Sequence, residues 1–395
     1  MKSKQVQEFK ETEIGKIPVD WEVTELENIC ERVSVGHVGL TSKFFCGKEE
    51  GVLFLRSQNV RPGRINLTDL KYVTYNFHET HKKSQLHEGD LMIVRVGSNR
   101  GDCCVVPKGF DKLNCANIVF ARPKSEFSSF LGHYFRSHLG KQKLDSISTG
   151  SAQGVINTKH IAKLLIPLPL PHQALAISHL LDTLDFKIQN LQNQNKTLEQ
   201  IAQAIFKSWF VDFDGVTEFE DSDLGKIPKG WDVKKIGEVI ELLYGKSLTK
   251  KNRVPGNIPV YGSSGIVGFH NESLSSKHGI IVGRKGNVGS VYWSSNSFYA
   301  IDTVYYVKTE LSLHYVYRNF QNQNFINSDS SVPGLSRDQA YSLPILIPKN
   351  IILEKFENIS SKIQIILEKN KNLILTLTKT RDTLLPKLMS GEIRA

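Results

Sequence analysis

Apolar residues alternate at steps of four and three along residues 172–214, the spacing of a coiled-coil seam. No Gly or Pro interrupts this stretch, and Pro171 precedes it, where proline is tolerated at the start of a helix. One narrow apolar stripe cannot be buried by its own helix, so the pattern predicts a long helix with a partner helix. The seam positions are Ile177, Leu181, Leu184, Ile188, Leu191, Asn195, Leu198, Ala202, Ile205 and Trp209.

A second seam with the same alternation occupies residues 356–388, and each of its positions follows its counterpart by 179 residues. Each seam contains one asparagine, Asn195 or Asn370. Antiparallel pairing with these two residues opposite each other also places Trp209 opposite Phe356. A buried Asn costs stability but fixes the register, because a shift would place its amide against Leu. The alternative is an ordinary amphipathic surface helix that occurs twice.

The repeat extends beyond the helices. EIGKIPVDWEV at 13–23 returns as DLGKIPKGWDV at 223–233, and the stretches at 154–169 and 334–348 resemble each other just before each helix. Short β-type runs broken by Gly, Pro and Asn lie between these ends, but the two middles differ in length and sequence.

These patterns predict an α+β protein in which two β-rich, mixed α/β domains are separated by two long helices. The helices form an antiparallel coiled coil, and a pseudo-twofold internal repeat relates the two copies. The expected segments are a first domain at 1–170, a helix and junction at 171–214, a second domain at 215–348, and a helix and tail at 349–395.

Positive charge is concentrated between the helices. The chain of 395 residues carries a net charge of +10. Residues 31–165 contribute +9 and residues 240–345 contribute +4, whereas the remainder sums to −3. This distribution suggests polyanion binding, and the alternative is a generic basic surface.

The cysteines and the hydropathy pattern indicate a cellular compartment. All five Cys lie in the first third of the chain and none forms a CxxC pair, which is typical of a reduced cytoplasmic protein. The N-terminal sequence MKSKQVQEFKETE has no apolar core, and no run of 18 apolar residues occurs. We therefore expect a cytoplasmic protein without a membrane partner.

The duplicated layout resembles the specificity (S) subunit of Type I restriction–modification systems. The most specific motifs are the junction IFKSWFVDFD at 205–214 and the ending LLPKLMSGEIRA at 384–395. The resemblance covers nearly the whole chain, except that the two middles cannot be matched residue by residue. It implies two target recognition domains, each reading one half of a bipartite asymmetric site in double-stranded DNA.

The resemblance also implies partners. The helices would dock two modification (adenine-N6 methyltransferase) subunits, and restriction (translocase and nuclease) subunits would join them. S-adenosylmethionine, ATP and Mg would then be bound by those partners and no cofactor by this chain.

The motifs agree with a protein that has no catalytic residues of its own. An adenine-N6 methyltransferase requires an Asn/Asp-Pro-Pro-aromatic tetrad, which is absent, as is GxxxxGK[ST]. The Gly-rich stretches 262–268 and 283–289 do not have the GxGxxG spacing. His78 and His81 lack further ligands for zinc, so we expect surface histidines and no metal site.

The candidate DNA-binding residues are cationic and polar side chains on Gly-rich turns between apolar runs. There the backbone can approach DNA while Arg, Asn and Gln reach base edges or phosphates. They are Arg56, Ser57, Gln58, Asn59, Arg64, Arg95, Ser98, Asn99 and Arg100 in the first domain, and Lys246, Tyr261, Ser263, Ser264, Arg284, Lys285 and Asn287 in the second. The structural alternative for each residue is a solvated turn. The functional alternatives are a self-sufficient DNA-modifying enzyme, a stand-alone sequence-specific or architectural DNA-binding protein, and a scaffold that binds protein through both domains.

Overall fold

The computed structural model describes residues 8–149, 155–325 and 334–395. The chain divides into two compact units, one formed by Met1–Asn190 with Leu375–Ala395 and the other by Leu191–Ile374. Each unit therefore contains one globular domain and part of both long helices. Residues 1–7, 150–154 and 326–333, which belong to the expected domains, lie outside the described residues.

In the described residues of the first domain, short strands alternate with four α-helices. Its strands are β1 Phe9–Thr12, β2 Gly15–Pro18, β3 Glu22–Glu25, β4 Cys30–Val35, β5 Phe45–Cys46, β6 Gly51–Leu55, β7 Val60–Arg61, β8 Arg64–Ile65, β9 Lys71–Thr74, β10 Gln85–Leu86, β11 Leu91–Val94, β12 Cys103–Val105, β13 Leu113–Cys115, β14 Ile118–Pro123 and β15 Leu165–Leu168. Its helices are α1 Tyr75–Thr80, α2 Ser125–Arg136, α3 His138–Thr149 and α4 Thr158–Ala162.

The helix α5 Pro171–Phe210 follows and leads into the second domain. The strands there are β16 Phe219–Ser222, β17 Gly225–Pro228, β18 Asp232–Lys235, β19 Ile240–Tyr244, β20 Ile258–Gly262, β21 Gly265–His270, β22 Gly279–Gly283, β23 Val291–Ser294, β24 Tyr299–Ala300, β25 Val304–Thr309 and β26 Pro344–Ile347. The helices are α6 Ile236–Val239, α7 Leu313–Asn322 and α8 Arg337–Ser342, and α9 Asn350–Met389 ends the chain.

Both domains contain the same four-stranded antiparallel sheet. Its strand order is β12-β11-β14-β4 in the first domain and β23-β22-β25-β19 in the second. The strands β11 and β22 have all their residues buried, which explains their uninterrupted apolar sequences, LMIV and GIIVG. The differing middles are therefore built on one topology.

The repeated sequence ends form a matching frame. β3 pairs with β15 and β18 pairs with β26, so the strand after each repeated Trp is joined to the strand before each long helix. Trp21 and Trp231 are both buried in the domain cores. The repeated sequence is thus explained by packing at the base of each domain.

The long helices α5 and α9 complete each core at positions that differ by 179 residues. The first core includes Ala174, Ile177, Leu385, Leu388 and Met389. The equivalent positions in the second core are Leu353, Phe356, Phe206, Trp209 and Phe210. The start of one helix and the end of the other therefore pack against each domain.

The antiparallel pairing and its register are confirmed within each unit. In the second unit, the Asn370 Nδ2 group donates a hydrogen bond to the Asn195 Oδ1 atom at 2.9 Å. The ring centroids of Trp209 and Phe356 lie 6.2 Å apart, as the predicted register requires. In the first unit Ile177 and Leu388, which the same register places opposite each other, belong to one buried cluster.

No helix in the described part of the chain has the length and apolar character required to cross a membrane.

Candidate nucleic-acid interface

Most of the candidate residues lie on loops near one end of each four-stranded sheet, whereas Arg64 and Tyr261 lie in the strands β8 and β20. In the first domain, Val94 at the end of β11 pairs with Ile118 at the start of β14, and β4 ends nearby at Val35. The loops that follow β4 and β11 therefore emerge together with the turn that precedes β14. The second domain repeats this arrangement, with Gly283 paired to Val304 and β19 ending at Tyr244.

The loop after the buried central strand has the same construction in both domains. It begins Arg-x-Gly and ends in Gly, at residues 95–101 and 284–289. All four of these glycines have positive φ angles, which an L side chain rarely adopts, so the sharp turns require glycine. They are Gly97, Gly101, Gly286 and Gly289.

Arg95 and Arg284 occupy equivalent positions at the base of these loops. The Arg95 carbonyl accepts a hydrogen bond from the Ile156 N–H at 3.0 Å, and the Arg284 carbonyl accepts one from the Leu335 N–H at 2.9 Å. The donors belong to the similar segments that precede α4 and α8. Both backbones are therefore fixed in the same way, although the surrounding sequences differ.

The Arg284 side chain is held in one orientation. Its guanidinium carbon lies 4.9 Å from the ring centre of Tyr244 and 5.5 Å from that of Tyr305. The Nη1 group donates a hydrogen bond to the Asp302 carbonyl at 3.0 Å. Burial raises the pKa of Tyr305, so its hydroxyl stays protonated at neutral pH. Arg95 is partly buried, and its Nε atom has no partner among the described residues.

The loop after β6 is tied together by Asp69. Arg56 and Gln58 donate hydrogen bonds to the Asp69 Oδ2 atom at 2.9 and 2.7 Å. These bonds, the one from Arg56 first, lower the pKa of the exposed Asp69 carboxyl to about 2. The Arg56 side chain is partly buried and the Asp69 side chain is exposed, so the ion pair lies at the protein surface.

Two of the candidate residues are structural, so their assignment to DNA is wrong. Asn59 is 0% exposed, and its side chain bonds the Arg56 N–H and the carbonyls of Asn66 and Thr68. Tyr261 is 6% exposed and packs in a core cluster. Both were selected because they adjoin a turn, and a turn sequence does not reveal which side chains point inward.

The other candidates lie on the surface or are partly exposed. In the second domain the Ser263 carbonyl accepts hydrogen bonds from Ser290 Oγ at 2.8 Å and Tyr292 Oη at 3.0 Å, which join the β20–β21 turn to the end of the 284–289 loop and to β23. In the first domain Ser57 Oγ donates to the Asn117 carbonyl at 3.2 Å. The remaining exposed or partly exposed candidates are Arg64, Ser98, Asn99, Arg100, Lys246, Ser264, Lys285 and Asn287.

Several residues at this edge were missed by the sequence analysis. His37 is the counterpart of Lys246, because their N–H groups bond the equivalent carbonyls of Cys115 and Ala300 at 2.8 and 2.9 Å. A sequence feature could have identified His37: the pairs Gly36-His37 and Gly245-Lys246 each follow directly after a strand. Tyr244 and Arg337 also lie here, and no sequence pattern connects them.

The histidines and cysteines of the described residues form neither a metal site nor a reactive thiol. Among the described residues, no three His, Cys, Asp or Glu side chains converge as metal ligands. The expected surface position of His78 is wrong, because His78 is buried and its Nδ1 atom lies 2.5 Å from Asn114 Oδ1. All five cysteines are free, and burial raises the pKa of Cys103 to about 12, which keeps its thiol protonated.

Comparison with known proteins gives consistent matches. A family model described as the Type I restriction modification DNA specificity domain matches residues 18–200 and 228–376. The Type I restriction enzyme MjaIX specificity subunit of Methanocaldococcus jannaschii is 26% identical over 98% of this chain and 96% of its own length. The putative type I restriction enzyme MjaX specificity subunit of the same organism is 29% identical over 60% of this chain and 57% of its own length. The crystal structure of a Type I restriction–modification S subunit from M. genitalium shares the fold, with a TM-score of 0.65 at 17% identity over 93% of this chain and 96% of that one.

Proposed function

Because the chain belongs to the Type I restriction–modification DNA specificity family, we propose that it is the DNA-recognition subunit of a Type I complex. Each domain reads one half of a bipartite asymmetric site in duplex DNA. One observation supports this above the others: Arg95 and Arg284 have the same backbone position at the same sheet edge, while the residues around them differ. Loops that have equivalent backbone positions but different side chains are suited to reading two half-sites of different sequence.

The charge distribution supports DNA as the ligand of both domains. The positive charge lies in the two middles, whereas the rest of the chain is slightly negative. Lysines and arginines on the loops would neutralise phosphates, and the partly fixed arginines would contact base edges. A stand-alone DNA-binding protein would not require a duplicated frame with two differing middles.

The helices present equivalent apolar residues suited to a partner that binds twice. Phe186 on α5 is 69% exposed and Ile365 on α9 is 53% exposed, and these positions differ by the repeat of 179 residues. Leu180 and Ile359 form a second equivalent exposed pair. Exposed apolar side chains at matched positions favour the docking of two copies of one protein, the methyltransferase subunit. A restriction subunit would join through that assembly.

We assign no reaction step to this chain. It lacks the Asn/Asp-Pro-Pro-aromatic tetrad and the phosphate-binding GxxxxGK[ST] loop throughout its sequence. S-adenosylmethionine, ATP and Mg are therefore assigned to the partner subunits. The chain contributes sequence selection and assembly.

Methylation mapping tests this function directly. The chain is co-expressed with a Type I methyltransferase subunit, and methylated adenines are located by single-molecule sequencing of the host DNA. We expect a two-part motif with an unspecified spacer, and no methylation when either protein is expressed alone. Methylation by this chain alone would instead identify a self-sufficient enzyme, and specific binding without any partner complex would identify a stand-alone DNA-binding protein.

Docking is tested at the repeated apolar positions. Phe186→Ser and Ile365→Ser should each weaken the capture of one methyltransferase copy, and the double variant should capture neither. The mass of the co-purified complex reports the number of copies. Val254→Ser, which alters an exposed apolar residue outside the helices, is the control and should assemble normally.

A further inference from the structure

Two arginines share one exposed tyrosine ring at the DNA-facing edge of the second domain. Tyr244, the last residue of β19, is 47% exposed. The guanidinium carbons of Arg284 and Arg337 lie 4.9 and 5.2 Å from the centre of its ring. Arg337 begins α8, outside the Gly-rich loops, and also lies 5.8 Å from the ring centre of Tyr341.

The two guanidinium groups at this ring are not paired with a carboxylate of any residue that the structure describes. The exposed Lys246 and Lys285 lie close by in sequence, two residues after Tyr244 and one after Arg284. Attraction to the ring holds each cation in place, but the like charges repel each other, so a bound anion would lower the energy of this cluster.

The two arginines differ in how firmly they are held. Arg284 is fixed by the Asp302 carbonyl and by a second ring, that of Tyr305. The exposed Arg337 has ring contacts but no side-chain hydrogen bond to any residue that the structure describes. Reading a base edge requires a fixed bidentate geometry, whereas a phosphate contact tolerates a more adjustable side chain.

We propose that Arg337, stacked on Tyr244, binds a phosphate of the DNA backbone beside the base edge that Arg284 reads. This assignment rests on the proposed function and gives the two neighbouring arginines different roles, a phosphate contact for Arg337 and a base contact for Arg284. It applies to the second domain only. The equivalent positions in the first domain are Thr158 and Val35, which have neither the charge nor the ring.

The test uses the full chain assembled with its methyltransferase subunit. Affinity is measured as a function of salt for a duplex that carries the mapped site and for a scrambled duplex. Arg337→Ala should weaken binding to both duplexes about tenfold and reduce the slope of log affinity against log salt by about 0.9. Arg337→Lys should restore the slope, because it restores the charge. Tyr244→Leu should weaken binding more than Tyr244→Phe, which keeps the ring.

Two comparisons separate a phosphate contact from a general charge effect. Lys308→Ala removes one positive charge from β25. Lys308 lies about 13 Å along this strand from Val304, which pairs with Gly283 beside Arg284. This variant should bind DNA as the wild type does. Thr158→Ala alters the equivalent position of the first domain and should also have no effect. Arg284→Ala, in contrast, should change the methylated sequence of the second half-site.

Two results would overturn the assignment of Arg337. One is an Arg337→Ala complex with unchanged affinity and salt slope on both duplexes. The other is an Arg337→Ala complex that methylates an altered half-site, which would make Arg337 a base-reading residue. A wild-type complex that selects no DNA sequence would refute the proposed function itself, and this site with it. Thermal denaturation of each variant confirms that the exposed substitutions leave the fold intact.

Discussion

The Asn370 side-chain amide donates a hydrogen bond to the Asn195 side-chain carbonyl at 2.9 Å, joining α5 to α9 inside the second unit. Apolar residues surround this pair along the seam, including Leu191 and Leu367, which are buried. A shift of register would leave two amides facing apolar side chains, at a cost of about 1–3 kcal/mol for each unpaired group. The asparagines therefore select the alignment of the helices.

This pair should show opposite effects for single and double substitution. Asn195→Leu leaves the buried Asn370 amide without its partner and should lower the free energy of unfolding by about 1–3 kcal/mol. The double substitution to Leu removes both polar groups and should recover that loss or exceed it. Urea denaturation of the three proteins measures the difference. Equal destabilisation of the single and double variants would contradict a paired amide contact.

The carboxyl of Asp69 should titrate at low pH because of Arg56. Its pKa lies near 2 in the folded protein, below the ordinary value of 3.8. The stability that the ion pair adds is therefore fully present above pH 3.8 and is lost as the pH falls through about 2. Carboxyl NMR should show this midpoint, and Arg56→Ala should return it toward the ordinary value. Gln58→Ala serves as comparison and should shift the midpoint less.

Arg95 and Arg284 should each control one half-site. Replacing either by Ala in the assembled complex should cost about 1–3 kcal/mol of binding and relax the sequence requirement of one half only. Methylation mapping measures the change. Lys16→Ala and Lys226→Ala, at matched positions in the repeated hairpins, are the charge controls and should leave the motif unaltered. An unchanged motif in both arginine variants would show that other residues read the bases.

Each domain should recognise its half-site independently of the other domain. Replacing residues 31–160 by the corresponding segment of a relative should change one half-site and preserve the other, because the paired strands β3 and β15 lie outside the exchanged segment. The methylated motif of the chimera is the measurement. A folded chimera that still assembles with the methyltransferase but has lost both half-sites would contradict independent reading.

The sequence alone determined the features that repeat along the chain. The two seams and their single asparagines were sufficient to predict antiparallel helices and the register of Asn195 and Asn370, because any other alignment would place a polar amide against an apolar side chain. The recurring Gly-Lys-Ile-Pro and Trp residues likewise identified the duplicated frame. Trp21 and Trp231 are buried in equivalent places, as an apolar residue in a repeated motif requires.

Only the tertiary structure decided which residues of the two middles correspond. Strand pairing places the loops after β11 and β22 at equivalent edges of their two sheets, although the loops differ in length and sequence. This is possible because backbone hydrogen bonds do not depend on which side chains the strands carry. Burial then separated Asn59 and Tyr261, which support the turns, from exposed neighbours of similar composition. The contact between Tyr244 and Arg337 joins residues far apart in the chain, and no local pattern encodes such a contact.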